Sequence, residues 1–206
     1  MIDLVRIDVE DFALLAELFE YPDAGFAARA AQIAVELHCP ATAAHLAQFS
    51  SEIAVLSPEL MEEAHVRTFL VAPASAPYVG LHLFGEESFK RAHMMAQFVE
   101  RFRALDFDPG IELPDHLGVL LRFARLLEAD ERADLVRWCF ALPVTAMQRS
   151  LVNTQNPYRH LLAGLLFAVA PEGVPEEVHA AVVRAAQAPD LAACGGCTIT
   201  HGADEP

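Results

Sequence analysis

The side chains with the most reactive chemistry stand near the C-terminal end, where Cys194, Cys197 and His201 occur in the run C-G-G-C-T-I-T-H. A C-x-x-C pair has the bite for zinc or for a redox disulfide, and His201 is a candidate third ligand. A structural zinc site wants four ligands, however, and a redox pair wants a thioredoxin-like βαβ context, and the sequence offers neither. The tail is therefore expected to be an incidental or weak metal binder. A metal-binding or thiol-redox protein acting through these three residues is the alternative. His65, His82, His93 and His116 share one region of the chain but lack the H-x3-H or H-E-x-x-H spacing that a helix-borne metal site uses. Glu86, Glu87, Glu112 and Asp115 are candidates for an acid/base pair. Glu86 and Glu87 nevertheless fall in an expected first helical turn, and Asp115 at an expected cap, where free N–H groups and the helix dipole favour anions anyway. No phosphate-cradling, dinucleotide-binding or nucleophile-elbow motif is present. These residues argue against an enzyme and for no cofactor.

The elements that must position them are helical. The chain has 206 residues, 54% of them apolar and 21% charged, which suits a globular domain with a substantial core. No apolar run approaches the ~20 residues of a transmembrane helix. The start, M-I-D-L-V-R-I-D-V-E-D-F, is acidic where a secretory signal needs a basic flank, so a cytoplasmic protein is expected. A net charge of −15 disfavours nucleic acid and anionic membrane and suits a basic partner, although it also serves plain solubility. Cys39 and Cys139 lie singly in apolar helical segments, where free cysteine behaves as a small hydrophobe.

Apolar residues recur at helical spacing nearly throughout. Asp8 is placed to cap a helix carrying Phe12, Leu15, Leu18 and Phe19, with Asp11 three residues on, and Tyr21-Pro22-Asp23 breaks it. Helices are expected from Asp23 to His38, from Ala41 to Val55, and from Glu59 to Phe69 behind a Ser57 cap and Pro58. The proline-containing stretch from Val71 to Gly80 reads as a loop and possible hinge. An amphipathic helix follows, with Met95, Phe98, Phe102 and Leu105 on one face and Glu86, Lys90, His93, Gln97 and Glu100 on the other. Glu86/Lys90 and Glu87/Arg91 have the favourable i,i+4 order. Asp115 is expected to cap a helix bearing Leu117, Leu120, Leu121 and Ala124. Further helices are expected over Glu131–Leu151, kinked or split at Pro143, from Asn156-Pro157 to Val169, and over Glu176–Gln187. The expectation is an all-α single domain of roughly nine helices over residues 1–190, with a flexible tail over 191–206. Phe84, Phe89, Met94, Met95, Phe98 and Phe102 suit either a core or an adaptable peptide groove.

Leu18 to Asp23, Leu81 to Glu86, Phe107 to Leu117 and Asn156 to Tyr158, taken in order, resemble segments of the NarJ-like branch of the TorD-like family of molybdenum-enzyme assembly chaperones. Leu18-Phe19-Glu20-Tyr21-Pro22-Asp23 is similar to that branch's L-L-x-Y-P-D opening. Thr68-Phe69 and the L-H-L-F-G-E of Leu81 to Glu86 look like its F-D and Y-H-L-H-G-[DE] segments. Phe107-Asp108-Pro109 with Glu112-Leu113-Pro114-Asp115-His116-Leu117 resembles F-x-P…E-L-P-D-[HY]-L, and Asn156-Pro157-Tyr158 is similar to a family helix start. Leu120 stands where many TorD-like members carry a glutamate, which favours the nitrate reductase side. The Cys194–Cys197 tail matches no part of the pattern. The resemblance implies a TorD-like helical bundle that catalyses nothing. It implies binding of the N-terminal segment, or twin-arginine leader, of the catalytic subunit of a molybdenum-cofactor enzyme of the DMSO reductase superfamily. The subunit would be held competent for cofactor insertion before membrane attachment or export. By motif position, it implies Tyr78, His82, Phe84, Glu86, Asp115, His116 and Leu117 as the surface flanking the client groove. A hinge at Ala72–Gly80 would open that groove or allow a domain-swapped dimer in place of a monomer.

Overall fold

Among the described residues, 8–71 and 75–187 of this computed structural model, caps and breakers set off eleven α-helical segments, with no strand. Asp8 caps α1 (Val9–Ala16) by accepting from the Glu10 N–H, and a 3₁₀ turn, Glu17–Phe19, ends it. Then come α2 (Phe26–Glu36) and α3 (Pro40–Ile53), the latter with proline in its first turn. Ser57 caps α4 (Pro58–His65), which continues into a π-helical segment, Val66–Val71. After α5 (Val79–Phe84) and α6 (Phe89–Ala104), a long turn leads to α7 (Leu117–Ala124). The chain continues through α8 (Ala129–Leu135), a π segment (Val136–Phe140), α9 (Ala141–Leu151), α10 (Tyr158–Val169) and α11 (Glu176–Gln187).

Two departures from expectation raise the helix number above nine. Gly85, at φ 87°, stops α5 in the left-handed region, and Ser88 then caps α6 by accepting from the Lys90 N–H. Glu86 and Glu87 thus occupy the turn between two helices and not a first helical turn. Their expected i,i+4 partners also turn elsewhere: Lys90 reaches the carbonyls of Ala185 and Ala186, and Arg91 pairs with Asp115. At Pro143 the helix does not break. The wider π turn at Val136–Phe140 precedes the proline, whose missing N–H leaves the Cys139 carbonyl without its usual donor.

The centre of the bundle is α7, apolar but for Arg122, with Leu117, Gly118, Val119, Leu120, Leu121, Phe123 and Ala124 all buried. It packs against α1, while α10 lies between α3 and α9. Gly164 permits the close α3–α10 approach, since a Cβ there would lie 3.1 Å from both His45 Cβ and Leu46 Cδ1. An aromatic chain, Phe26–Phe49–Tyr158–Phe69–Phe19, crosses the core with centroid separations of 4.7–6.3 Å. Asn156 ties the two segments that meet at the middle of this aromatic chain: its Oδ1 accepts from the Tyr158 N–H and its Nδ2 donates to Thr68 Oγ1, next to Phe69, at 2.6 Å. Asp11, expected in a capping box, is instead fully buried and accepts from the His38 backbone N–H and from His38 Nδ1 at 2.8 Å. No described helix is long and apolar enough to cross a membrane.

Candidate functional site

The segment before α5 and the turn before α7 meet as a single antiparallel bridge between Tyr78 and His116. Val79 N–H donates to the Asp115 carbonyl at 2.9 Å, and Leu117 N–H donates to the Pro77 carbonyl at 2.6 Å. The Tyr78 and His116 rings meet edge-on at 5.3 Å. Residues 75–77 are buried beside this bridge, and Ser75 Oγ donates to the Thr68 carbonyl at 2.5 Å. The described part of the expected hinge is therefore bonded on both sides.

Behind the bridge lies a buried ion pair. Arg91 Nε donates to Asp115 Oδ2 at 2.8 Å and its NH2 to Oδ1 at 3.3 Å; the Asp115 side chain is fully buried and that of Arg91 is 10% exposed. The guanidinium also stands 5.8 Å from the centroid of the Tyr78 ring. Asp115 is thus not the cap of α7 that the sequence suggested. His116 caps it, Nδ1 accepting from the Gly118 N–H at 3.2 Å, because the Asp115 carboxylate is turned inward by Arg91.

The same ion pair dictates glycine at position 80. A Cβ there would lie 2.6 Å from Asp115 Oδ2, 2.8 Å from Arg91 Cγ and 2.9 Å from Met94 Cε. Gly80→Ala is expected to destabilise the protein by about 1–3 kcal/mol through overpacking. Chemical denaturation checks this, and an unchanged midpoint would show that the contact relaxes freely.

In front of the bridge opens a cleft of about 540 Å³. Phe19, Tyr21, His65, Phe69 and Leu70 form one wall, Tyr78 and His116 stand at its side, and Ile111, Glu112 and Arg122 form the other wall. Tyr21, Leu70 and Ile111 are large apolar groups left exposed at its mouth. Tyr21 donates to Glu62 at 3.1 Å and Tyr78 to Glu112 at 3.1 Å, and of these two carboxylates Glu112 lines the cleft. Burial, then the Glu112 charge, pushes the Tyr78 phenol above its usual range. His65 shares a 3.0 Å hydrogen bond with Tyr158, and burial, reinforced by His116, lowers its pKa to about 4. Burial also lowers His116. Both imidazoles are therefore neutral near pH 7, and the formal charge at the cleft comes from Glu20, Glu112 and Arg122. The lining offers apolar contact and anionic acceptors, the means to hold a short apolar segment bearing positive charge.

Of the seven residues implied by motif position, Tyr78 and His116 come together in this cleft and Asp115 lies directly behind it. Leu117 is fully buried in the core of α7. His82, whose Nε2 donates to the Ala76 carbonyl at 2.9 Å, faces a second depression beside α11. Phe84 lines a third, and Glu86 is exposed in the turn before α6. Cys194, Cys197 and His201 lie outside the described residues. Within them, no group of three or more His, Cys, Asp or Glu side chains is arranged to hold a metal ion. The sequence reading missed His65, Leu70, Ile111 and Arg122. Ile111 carried a usable signal, being an apolar residue set between Pro109-Gly110 and Pro114, where no helix can bury it.

A family model described as nitrate reductase delta subunit matches residues 34–162, more than half of the chain. The matched span runs from α2 into α10 and includes the bridge, the buried ion pair and the Ile111–Arg122 wall of the cleft. No curated protein matches the chain.

Proposed function

The chain belongs to the nitrate reductase delta subunit family, and on that premise we propose that it chaperones a molybdoenzyme catalytic subunit by binding that subunit's N-terminal segment in the cleft. Membership itself implies an assembly role and not a catalytic one. The client is held competent for molybdenum cofactor insertion and kept from membrane attachment or export until insertion is complete. The molybdenum belongs to the client, and the chaperone contributes only a surface.

The observation that carries this reading is the cleft itself: an exposed aromatic and aliphatic lining edged by Glu20 and Glu112, in a protein with a net charge of −15. Its volume of about 540 Å³ falls among sites that enclose a few side chains. A client segment with apolar residues flanked by arginine or lysine would bury the former against Tyr21, Leu70 and Ile111. Its charges would face the carboxylates, which favours rapid encounter. Ordering a flexible segment opposes binding, so the affinity is moderate and release is ready, as a chaperone requires.

The test is calorimetric titration with a synthetic peptide of the N-terminal segment of the nitrate reductase catalytic subunit from the same organism. Ile111→Asp and Glu112→Lys, at exposed positions that leave the core untouched, are expected to weaken binding at least ~10-fold, about 1.4 kcal/mol. Equal affinity in both correctly folded variants would place the client elsewhere.

A further inference from the structure

Helix α11 lies over a groove walled by α5, the π segment at 136–140, α9 and α10, and fills it incompletely. Of the twelve residues of α11 only Val178 is buried, whereas α10, of the same length, buries seven. Space of about 790 Å³ runs along the face bearing His179 and Val183, and about 270 Å³ along the face bearing Ala181 and Ala185. At 100° per residue these faces lie on opposite sides of the Val178–Val182 stripe. The floor is apolar where Leu83 and Phe84 of α5 meet Trp138, Cys139 and Leu142, and polar along α9, where Thr145, Gln148 and Arg149 line it.

Polar ties hold α11 at its two ends. Arg137 pairs with Glu177 in its first turn at 2.7 Å, and Lys90 Nζ donates to the carbonyls of Ala185 and Ala186 at 2.7 and 2.8 Å in its last. A lysine at the C-terminal carbonyls complements the helix dipole, so the groove receives a helix in one direction. The connection to α10 contains Pro171, Gly173 at φ 84° and Pro175.

We infer that this groove is a helix-docking surface whose built-in occupant, α11, yields to an amphipathic helix of a partner protein. The partner's chemistry follows from the seat. It carries valine or alanine at positions i, i+4 and i+7, like Val178, Val182 and Ala185, and an acidic first turn to meet Arg137. Displacement requires only local opening, because so little of α11 is buried. The surface is distinct from the client cleft, and its probe contains no client sequence, so failure of either reading leaves the other standing.

The probe is a fluorescein-labelled peptide with the sequence of residues 174–187, titrated into the full-length protein. Wild type is expected to bind it weakly, because α11 competes in cis. Glu177→Arg, which breaks the first-turn tie from the α11 side while the added peptide keeps its own Glu177 for Arg137, is expected to tighten binding several-fold, and Val178→Asp at least ~10-fold. Amides of α11 are expected to exchange with deuterium well before those of α10. If Val178→Asp does not fold, Glu177→Arg, at an exposed position, decides. Unchanged peptide affinity in the folded variants, or a dimer that exchanges α11 between copies without taking up peptide, would overturn the inference.

Discussion

Replacing Asp115 by alanine is expected to destabilise the protein by about 3–5 kcal/mol, because the substitution strands the buried Arg91 guanidinium without its counter-charge. The Asp115 side chain is fully buried and accepts two hydrogen bonds from an arginine that is itself only 10% exposed. Removing both charges relieves most of this loss. Arg91→Met combined with Asp115→Ala is expected to be more stable than Asp115→Ala alone, since the buried orphan ion has gone. Denaturant unfolding separates the cases by midpoint at constant slope. A loss within ~1 kcal/mol for Asp115→Ala would show that water reaches Arg91 and that the pair does not fasten the bridge. The functional consequence follows from position. The pair lies directly behind Tyr78 and His116, so variants that survive folding should also lose affinity for the client peptide.

Acid is expected to weaken the fold before the carboxylates titrate. His65 has a folded pKa of about 4 against an ordinary value of 6.5, because burial opposes its charge. Below pH 6.5 the unfolded chain takes up a proton that the folded chain refuses. The stabilisation is therefore fully present above that value and is lost as pH falls toward 4. The full loss is about 3 kcal/mol, of which about 2 kcal/mol falls between pH 7 and 5. His116, His82 and His45 are lowered by burial too and act in the same direction. His38 acts oppositely: its hydrogen bond to Asp11 raises it, so its contribution is present at low pH and disappears as pH rises through the raised value. In His65→Gln the stability profile between pH 7 and 5 should be flatter than wild type by about 2 kcal/mol. Parallel profiles would mean that His65 is protonated within the fold.

Short-range features of this fold were readable from the chain alone. Asp8, Ser57 and Asn156 all accept from backbone N–H groups at helix starts, as their residue types suggested, with the following proline as a second signal for Ser57 and Asn156. What escaped depends on partners far away in sequence. Asp115 has the local signature of a cap, following proline and preceding an apolar run, yet Arg91, 24 positions earlier, turns it inward and leaves capping to His116. Asp11 was misread for the same reason, its partner His38 lying 27 positions later. Leu117 resembled a groove residue by motif position, but its side chain is fully buried, and α7 meets the cleft through Gly118, Val119 and Arg122 instead. Within the cleft, Tyr78 and His116 were both singled out, while their approach as a bridge across 38 residues had no local signal. The family was legible because its motifs mark turns and helix starts, which are local features.

The most direct test of the chaperone account is affinity purification of the tagged full-length protein from its native host under anaerobic respiratory growth, with mass spectrometry of what it carries. The account predicts recovery of a molybdenum-enzyme catalytic subunit, abolished when that subunit's N-terminal segment is deleted and sharply reduced by Ile111→Asp in the chaperone. Equal recovery of the subunit without its N-terminal segment, or no such subunit at all, would contradict it.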